Sequence, residues 1–412
     1  MAKIVDVKAH EILDSRGIPT ICVNVYLEGG YKGSFSVPSG TSSGMREVIE
    51  LRDNDYRYHG MGVRRAINNI NTIIRDAIIG CEGFDQESVD NIMRELDGTC
   101  DLSKIGGNAI IGVSIALLNA CSNYSQVPLY KYIGDNTLLP IAMMNIINGG
   151  MHGDNNLSFQ EFMIIPNCST FSESVRMGSE IFHSLGGILK NKNLYCGVGL
   201  EGGYVPQLSS NSQALDLIME AIIDSGYLPY SDVTIGIDVA GNSLYKDGNY
   251  IVDGKILTSL ELCDYFEDLC NRYPIVSIED PFYEKDIEGF KLITARLGEK
   301  IQIVGDDFFV SNKEYLLEGI NNKCCNAIII KPNQVGTITS ILDTIDLANS
   351  YSYNTIMSHR SGDTCDTSIC DIAVGLGIGQ IKIGSLSRME RVSKYNRLME
   401  IENEVLEDYK NS

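Results

Sequence analysis

Short apolar runs in the second half of the chain each end at a charged or ionisable residue. From the third run to the sixth they recur roughly every 25 residues, about the length of one strand plus one helix. That spacing predicts a barrel of alternating strands and helices, in which the carboxyl end of each strand faces the active site. The runs and the residues that end them are Val233–Ile237 with Asp238, Ile275–Ile278 with Glu279, Ile301–Gly305 with Asp306, Ala327–Ile330 with Lys331, Thr355–Ser358 with His359, and Gly379–Ile381 with Lys382.

The first third of the chain has a different pattern, in which strands come first and helices follow. This order predicts a small α+β domain. A candidate boundary at Tyr132–Leu139 divides an α/β protein into an N-terminal α+β domain over residues 1–135 and a C-terminal β/α barrel over residues 136–412. The strands are predicted at Ile4–Val7, Thr20–Leu27 and Lys32–Val37, with a turn at Glu28–Gly30, and the helices near Arg64–Ile79, Gln86–Leu96 and Asn108–Tyr124.

Charge and composition narrow the class of partner. The net charge of −21 over 412 residues argues against nucleic acid or an anionic membrane as the main partner. An anionic substrate would therefore need a local cationic cluster or a metal ion. The start of the chain lacks the apolar stretch of a signal peptide, and the most apolar helix, Asn108–Ala120, is too short and too polar to span a bilayer. We expect a cytoplasmic protein without a membrane span.

Three of the residues that end the apolar runs are acids: Asp238, Glu279 and Asp306. A hard cation such as Mg²⁺ takes oxygen ligands, and adjacent strand ends would bring three carboxylates together. The alternative is that each acid only caps the helix after its strand. Three acids in register at the ends of apolar strands favour the metal site.

Two more of these residues are lysines. Lys331 directly follows three isoleucines, and a lysine can act as a general base only if its pKa is lowered. Lys382 and a bound metal would supply the positive charge that lowers it. The alternative is a lysine that lies along the barrel rim with its ammonium group in water.

Groups that bind anions are concentrated in the segment Ser358–Gly362. The side chains of His359, Arg360 and Ser361, together with loop amides, suit a phosphate or a carboxylate. A surface loop with a chance basic pair is the alternative.

A glycine-rich string, Gly197–Gly202, matches a dinucleotide-binding pattern, but Tyr204-Val205-Pro206 follows where a helix would have to begin. We therefore interpret the segment as an active-site loop that carries Glu201. The glutamate is either a general acid or a solvated loop residue.

A strand–loop–strand is predicted around Ile146–His152 and Phe159–Phe162. Glu161 lies between two phenylalanines. It is therefore either half-buried with a perturbed pKa or on the polar face of an edge strand.

The hydroxyl-rich loop Val37–Gly44 could be a lid that carries a metal-binding serine, Ser42. On sequence alone, a helix N-cap ahead of Met45–Leu51 is the favoured interpretation.

Taken together, these strings resemble the enolase family from about residue 4 to about residue 400, in the family's order. The resemblance implies a Mg²⁺-dependent lyase of glycolysis that interconverts 2-phosphoglycerate and phosphoenolpyruvate. It also implies an enolase-type, TIM-like barrel behind a capping domain, and a homodimer or higher homo-oligomer. The matching strings are DSRGIPT, VPSGTSSG, MNIINGGMHGDNN, QEFM, EGG, PIVSIEDP, QIVGDDFFVSN, IIIKPNQVGT, SHRSGDT and GQIK.

The resemblance implies a role for each matched residue. Lys331 would take the C2 proton, and Glu201, supported by Glu161, would help the C3 hydroxyl to leave by way of an ene-diolate intermediate. Two Mg²⁺ per active site are implied. The first would be held by Asp238, Glu279 and Asp306, and the second, bound to the phosphate, by Ser42. The residues implied to line the substrate are His152, Gln160, His359, Arg360, Ser361 and Lys382.

The chain departs from the family pattern beside the implied acid. Leu200 stands where the family has Asp, so a carboxylate next to Glu201 is lost. Two alternatives are therefore kept open: a family lyase that acts on a different phospho- or phosphono-carboxylate, and a non-catalytic binding protein. The other departures are Asn242-Ser243, Asp363, Cys365 and Ile383.

Overall fold

The first strands form an antiparallel sheet, as the alternating pattern predicts. The computed structural model describes residues 2–41 and 44–411. In it, β1 (Ile4–Leu13), β2 (Pro19–Leu27) and β3 (Lys32–Ser36) pair in that order. Strand β1 continues past the predicted Ile4–Val7, because its pairing with β2 extends to Leu13, opposite Pro19.

The helices after this sheet follow the predicted order, with one interruption. A π-helical turn at Ile70–Ile74 divides the helix predicted at Arg64–Ile79. Within the turn, the Asn71 side chain accepts a hydrogen bond from the Ala9 N–H at 2.8 Å and donates one to the Ala9 carbonyl at 3.1 Å. The widened turn thus joins the helix to β1. The helices are α1 (Arg64–Asn69), α2 (Arg75–Ile78), α3 (Gln86–Asp97), α4 (Gly107–Ser125) and α5 (Leu129–Ile133).

Helix α4 forms the core of this N-terminal unit. Most of its residues are buried, and it packs against β2 and β3. A Cβ atom at Gly33 of β3 would lie 2.1 Å from the backbone nitrogen of Ala120, so only glycine allows the strand to approach this closely. Across the described residues, α4 included, helices with enough length and hydrophobicity to cross a membrane are absent.

The predicted barrel is confirmed. Its first two strands in the sequence, β4 (Ile141–Asn148) and β5 (Glu161–Pro166), form an antiparallel hairpin. Strand β5 runs antiparallel to both of its neighbours, and every other pair of adjacent barrel strands is parallel. A small sheet of β7 (Tyr245–Lys246), β8 (Asn249–Val252) and β9 (Lys255–Leu257) interrupts the barrel strands in sequence. The other barrel strands are β6 (Val233–Asp238), β10 (Ile275–Glu279), β11 (Gln302–Gly305), β12 (Ala327–Ile330), β13 (Asn354–Ser358) and β14 (Gln380–Lys382).

Several helices that follow barrel strands have N-cap side chains of their own. Thr258, Asp286 and Asn312 cap α9, α10 and α11 with side-chain hydrogen bonds. Glu279 and Asp306 are therefore not the N-caps of the helices that follow their strands. The helices are α6 (Phe171–Asn191), α7 (Asn211–Asp224), α8 (Gly241–Leu244), α9 (Ser259–Arg272), α10 (Ile287–Leu297), α11 (Lys313–Asn322), α12 (Ile338–Ser350), α13 (Ser368–Gly375) and α14 (Met389–Asn411).

The inside of the barrel is filled by a small apolar cluster of its own. Met143 belongs to this inner cluster, whereas Met144 packs into the main core outside the barrel. Successive side chains of a strand point to opposite faces, so the adjacent methionines of β4 serve different cores. The inner cluster consists of Met143, Met163, Val304, Ala327, Ile329 and Ile356.

The segment that leads from β3 toward the barrel contradicts one prediction. Met45–Leu51 is not helical, so the predicted helix N-cap is wrong. The preceding residues instead lie on the barrel, where Ser39 and Gly362 exchange backbone hydrogen bonds of 2.7 and 2.9 Å. The Thr41 N–H donates to Ser361 Oγ at 2.8 Å. Ser42, the predicted metal ligand of this loop, lies outside the described residues.

Candidate active site

The carboxyl ends of the barrel strands surround a narrow cavity lined almost entirely by polar side chains. The predicted site residues line it, apart from Glu279, which is fully buried next to Lys382, and Ser42, which is not described. The lining is made by His152, Gln160, Glu161, Glu201, Asp238, Asp306, Lys331, Ser358, His359, Arg360, Ser361 and Lys382.

One wall of the cavity, which we call the base side, consists of Lys331, Lys382, Asp238, Glu279 and Asp306. Parallel pairing of β6 and β10 places Glu279 opposite Asp238. The ammonium group of Lys382 donates to Glu279 at 2.8 and 2.9 Å and to Asp238 at 3.0 Å. Strand register thus pairs Asp238 with Glu279, and closure of the barrel brings Lys382 to them from β14, which is not adjacent to β6 or β10.

The base side has more negative than positive charge. Burial and the nearby Asp238 raise the pKa of Glu279 well above its usual value, although Lys382 acts in the other direction. Burial alone would lower the pKa of Lys382, but Asp238, Glu161 and Glu279 outweigh it and raise that pKa. Both effects show that a further cation at this wall would be stabilised.

Lys331, the predicted base, forms an ion pair with Asp306. Burial lowers the pKa of Lys331, yet the carboxylate of Asp306 outweighs burial, so the pKa lies above its usual value. The expected lowering of this pKa is therefore not produced by the protein's own charges in this structure. A cation that drew the Asp306 carboxylate away from Lys331 would remove the main cause that raises it.

The opposite wall, which we call the acid side, consists of Glu161, Glu201, His152 and His359. His152 Nδ1 lies 3.4 Å from Glu161 Oε1 and 3.5 Å from Glu201 Oε2. His359 Nε2 lies 3.3 Å from Glu201 Oε1. All four residues are at most 4% exposed. Lys382 adjoins this wall too, since its ammonium lies 3.3 Å from Glu161 Oε1.

Burial and the charges of neighbouring side chains shift the pKa values of the glutamates and His152 on the acid side in different directions. Burial, followed by the charge of Glu201, raises the pKa of Glu161 to about 7. Burial alone would lower the pKa of His152, but Glu201 and Glu161 raise it to about 10. Burial would raise the pKa of Glu201, whereas the two histidines hold it well below its usual value. Of the two conditions left open for Glu161, the structure is nearer the half-buried one with a perturbed pKa, but the side chain is fully buried.

His359 behaves differently from His152. Burial is the main cause that lowers the pKa of His359 to about 4, and the guanidinium of Arg391 acts in the same direction. The ring is therefore neutral near pH 7. Its predicted place at the cavity is confirmed, but as a neutral group.

The predicted anion-binding loop is tied to the N-terminal unit. Arg360 Nη1 and Nη2 donate to the two carboxylate oxygens of Glu47 at 2.9 and 3.2 Å, and both residues are largely buried. Gln334 donates to both Glu47 and Asp306. The paired side chains connect the 44–48 segment to the base side of the cavity.

The donor groups of the cavity fit a hard divalent cation. Asp238 and Glu279 offer carboxylate oxygens at adjacent strand ends, where negative charge is in excess. The buried oxygens Gln160 Oε1 and Glu161 Oε2 have no hydrogen-bond partner in the described part of the chain. Among the described residues, ligand atoms of His152, Glu161 and Glu201 also lie within 4.8 Å of one another, as do those of Asp280, Asp306 and Asp307. The second group shares only Asp306 with the cavity lining, and among the described residues the predicted set of Asp238, Glu279 and Asp306 does not form such a group. The acids at this edge of the barrel can therefore hold a metal ion, but the predicted three ligands are not gathered as one group in this structure.

Three residues that support the site are absent from the sequence-based prediction: Asn145, Glu47 and Arg391. Asn145 is fully buried in β4 and donates to Glu201 Oε2 at 3.2 Å. It is an amide in the middle of an apolar strand, and that signal could have identified it. The other two contact the site from a non-helical segment and from α14, where no local pattern points to the barrel.

Two of the residues that differ from the family pattern, Leu200 and Asn242, make hydrogen bonds beside the site. Leu200 uses only its backbone there: its N–H donates to the His152 carbonyl at 3.1 Å, and its carbonyl accepts from Arg391 at 3.3 Å. Asn242 bridges two acids, donating to Glu284 at 3.2 Å and to Asp307 at 2.9 Å. Neither departure displaces a residue that lines the cavity.

Two family models match the chain. The model described as "Enolase, N-terminal domain" matches residues 4–133, and the model described as "Enolase, C-terminal TIM barrel domain" matches residues 136–411. Together they span nearly the whole sequence. The chain belongs to the enolase family.

Proposed function

We propose that this enolase-family chain is a Mg²⁺-dependent hydro-lyase that dehydrates 2-phosphoglycerate to phosphoenolpyruvate. The observation that carries the proposal is a half-buried lysine and a buried glutamate, Lys331 and Glu201, on different walls of one cavity, with Lys382 between the walls. Such a pair can remove a proton from one carbon and donate one to a leaving group on the next.

The first step is removal of the C2 proton by Lys331, which must be neutral at that moment. The electron pair of the C2–H bond moves toward the substrate carboxylate, which gains a second negative charge as an ene-diolate. Lys382, whose ammonium is held in a buried position, would place positive charge where that charge develops. Asp238, Glu279 and Asp306 would hold the Mg²⁺, which when bound would neutralise the same developing charge.

The second step is loss of the C3 hydroxyl. The electron pair returns to form the C2–C3 double bond, the C3–O bond breaks, and a proton from Glu201 completes the water molecule. The raised pKa of Glu161, about 7, supplies a neighbouring carboxyl that holds a proton near neutral pH. His152 lies between the two glutamates and can pass that proton to Glu201.

The residues that would bind the anionic groups of the substrate are assigned from their positions around the cavity. Arg360 and Ser361 lie on the loop that the N-terminal segment covers, and Gln160 and His152 line the opposite part of the cavity. We assign Arg360 and Ser361 to the substrate phosphate. Ser42, as the predicted ligand of a second Mg²⁺, would join them when the loop covers the substrate.

The deciding experiment is a turnover assay with 2-phosphoglycerate, following phosphoenolpyruvate by its ultraviolet absorbance. We expect turnover with Mg²⁺, loss of turnover on chelation, and recovery when Mg²⁺ is restored. Purified, Mg²⁺-loaded protein that produces no phosphoenolpyruvate would refute the proposal.

A second candidate substrate is a related phospho- or phosphono-carboxylate, because Leu200 replaces the family's Asp beside the acid. Leu200→Asp restores that carboxylate. Little change in 2-phosphoglycerate turnover, together with faster turnover of a related acid by the unmodified protein, would favour this candidate. A marked gain with 2-phosphoglycerate alone would exclude it.

The same proposal includes three wider expectations, of which the first two rest on the sequence pattern and the last on the resemblance. They are a domain boundary at residues 135/136, a cytoplasmic location and a homodimeric or higher assembly. Analytical ultracentrifugation of the purified chain tests the last of these, and a monomer at micromolar concentration would contradict it.

A further inference from the structure

Arg391, from the C-terminal helix α14, reaches the acid side of the cavity from behind. It is completely buried. Its Nη1 lies 2.5 Å from His359 Nδ1, on the side of the ring that faces away from Glu201. The remaining hydrogen bonds of the guanidinium hold it in place: Nη1 donates to the Arg360 carbonyl at 2.6 Å, and Nη2 to the Ser361 carbonyl at 2.7 Å.

The chemistry of the two side chains fixes the direction of this contact. A guanidinium has only N–H donors and keeps its proton throughout the physiological range. His359 Nδ1 must therefore accept the hydrogen bond, and it cannot carry a proton of its own. The single proton of the neutral ring is then on Nε2.

The Nε2–H that results is directed toward the cavity. Glu201 Oε1 lies 3.3 Å from Nε2, but within the described residues this atom forms no hydrogen bond. It is therefore a buried donor without a partner at the place where a substrate would bind.

The junction that holds the ring leaves little room for adjustment. Gly384 has a φ of +83°, and a Cβ there would lie 2.8 Å from Arg391 Cδ, 2.9 Å from His359 Cε1 and 3.0 Å from the Glu201 carbonyl oxygen. The backbone N–H of His359 also donates to the Lys382 carbonyl at 2.9 Å. Backbone and side chains thus fix both the position and the orientation of the imidazole.

We infer that Arg391 is a positioning residue that holds His359 as the neutral Nε2–H tautomer, a fixed hydrogen-bond donor directed at the place beside Glu201 where the substrate would bind. His359 then binds the leaving hydroxyl or its neighbouring oxygens but does not supply the proton. That proton comes from the group formed by Glu201, Glu161 and His152. The tautomer follows from geometry alone, and only its kinetic consequence rests on the proposed function.

Charged groups from every adjoining element bear on the ring. Glu201 faces it from the loop, Arg391 from α14, and Asp363 from the segment after β13. Asp363 Oδ2 also lies 3.4 Å from Arg391 Nη1. Glu201 and Asp363 both favour a doubly protonated imidazole, so removing Arg391 would remove a charge that opposes them, although the nearby cations Arg360 and Lys382 would remain.

The test is a long-range ¹H–¹⁵N correlation spectrum of the imidazole rings in the full chain. The chain has 5 histidines, so few signals need assignment, and the signals lost in His359→Gln identify that ring. In the unmodified protein we expect the Nε2–H tautomer of His359 without titration between about pH 5.5 and 8.5. The Nδ1–H tautomer, or a doubly protonated ring at neutral pH, would overturn the inference.

Two variants separate positioning from general stability. Arg391→Met should give mixed tautomers or a titrating ring, whereas Lys394→Met should leave the Nε2–H pattern intact. Lys394 is a matched control, because it is an equally buried cation of α14 that contacts Asp363 and not His359. An unchanged His359 spectrum in Arg391→Met, or the same change in both variants, would contradict the assignment.

Arg391→Lys keeps a donor beside Nδ1 and should keep the Nε2–H tautomer even if Arg391→Met does not fold. Loss of the tautomer in a folded Arg391→Lys would count against the inference. In the turnover assay, Arg391→Met should lower kcat by roughly tenfold to 100-fold and change its pH profile. If the unmodified protein shows the tautomer but no turnover, the proposed function fails and the positioning role stands.

Discussion

The two walls of the cavity are built by different means. On the base side, five charged side chains follow the ends of five strands, and their ion pairs have separations of 2.8 to 3.0 Å around Lys382. On the acid side, the charged atoms lie 3.3 to 3.5 Å apart, and both nitrogens of His152 lack hydrogen-bond partners in the described chain. One wall is closely paired, and the other has buried groups without partners.

The difference in pairing suits the two walls to different chemical tasks. Closely paired charges hold a lysine and a metal-binding group in fixed positions, which suits removal of a proton from carbon. Buried groups without close partners can exchange a proton and can still bond to a substrate oxygen. The predictions below test whether the walls act separately.

Lys331→Ala gives the largest expected effect. Because this change removes the proposed base, turnover of 2-phosphoglycerate should fall by roughly 10³-fold or more, and exchange of the C2 proton with deuterated water should be lost as well. Lys313→Ala, which removes an exposed lysine of the same barrel, is the control and should be unaffected. Substantial exchange in Lys331→Ala would place the base elsewhere.

Glu201→Gln should separate the two walls. It removes the proposed acid while the base side keeps its contacts, so dehydration should fall by about 100-fold or more whereas C2 proton exchange continues. Mass spectrometry of 2-phosphoglycerate recovered from deuterated water measures the exchange. Parallel loss of both activities would show that the walls are not independent. Glu220→Gln, at an exposed ion pair, provides the control.

The protonated His152 should make stability depend on pH. Its folded-state pKa is raised from 6.5 to about 10, so its contribution is fully present below about pH 6.5 and is lost as pH rises toward 10. The slope should reach at most roughly 1.4 kcal/mol per pH unit in this window. Thermal unfolding midpoints at pH 7 and pH 9.5 measure it. His152→Gln should flatten the fall, and His183→Gln, at an exposed site, should not.

Asn145→Ala gives the smallest expected effect on rate. It removes the hydrogen bond to Glu201 Oε2 and should cost about 1–3 kcal/mol of stability, with a fall in kcat of only several-fold. Asn108→Ala also removes a buried amide, one that bonds Leu51 far from the cavity. Equal losses of stability with a rate change in Asn145→Ala alone would confirm that Asn145 supports the acid.

Much of the base side was readable from the sequence, because its residues are fixed by strand register. An apolar run ending in Glu279 or Lys382 specifies a strand and the side chain at its carboxyl end, and a closed barrel brings those ends together. The prediction of a helix at Met45–Leu51 was wrong because the conformation of that segment does not follow from its own sequence pattern. That segment is held by contacts to the barrel, such as the Met45 N–H donating to Glu284 at 3.2 Å, and not by its local pattern.

By itself, then, the sequence determined the strands, the barrel and the charged residues at its carboxyl edge, since alternation and spacing are local properties that a barrel converts into neighbours. Only the tertiary structure decided the state of each charge. Whether Glu161 is buried, whether His152 and His359 carry one proton or two, and which partner Lys331 contacts all depend on groups far away in sequence. Arg391 shows this most directly, because it reaches His359 from a helix whose own pattern gives no sign of the cavity.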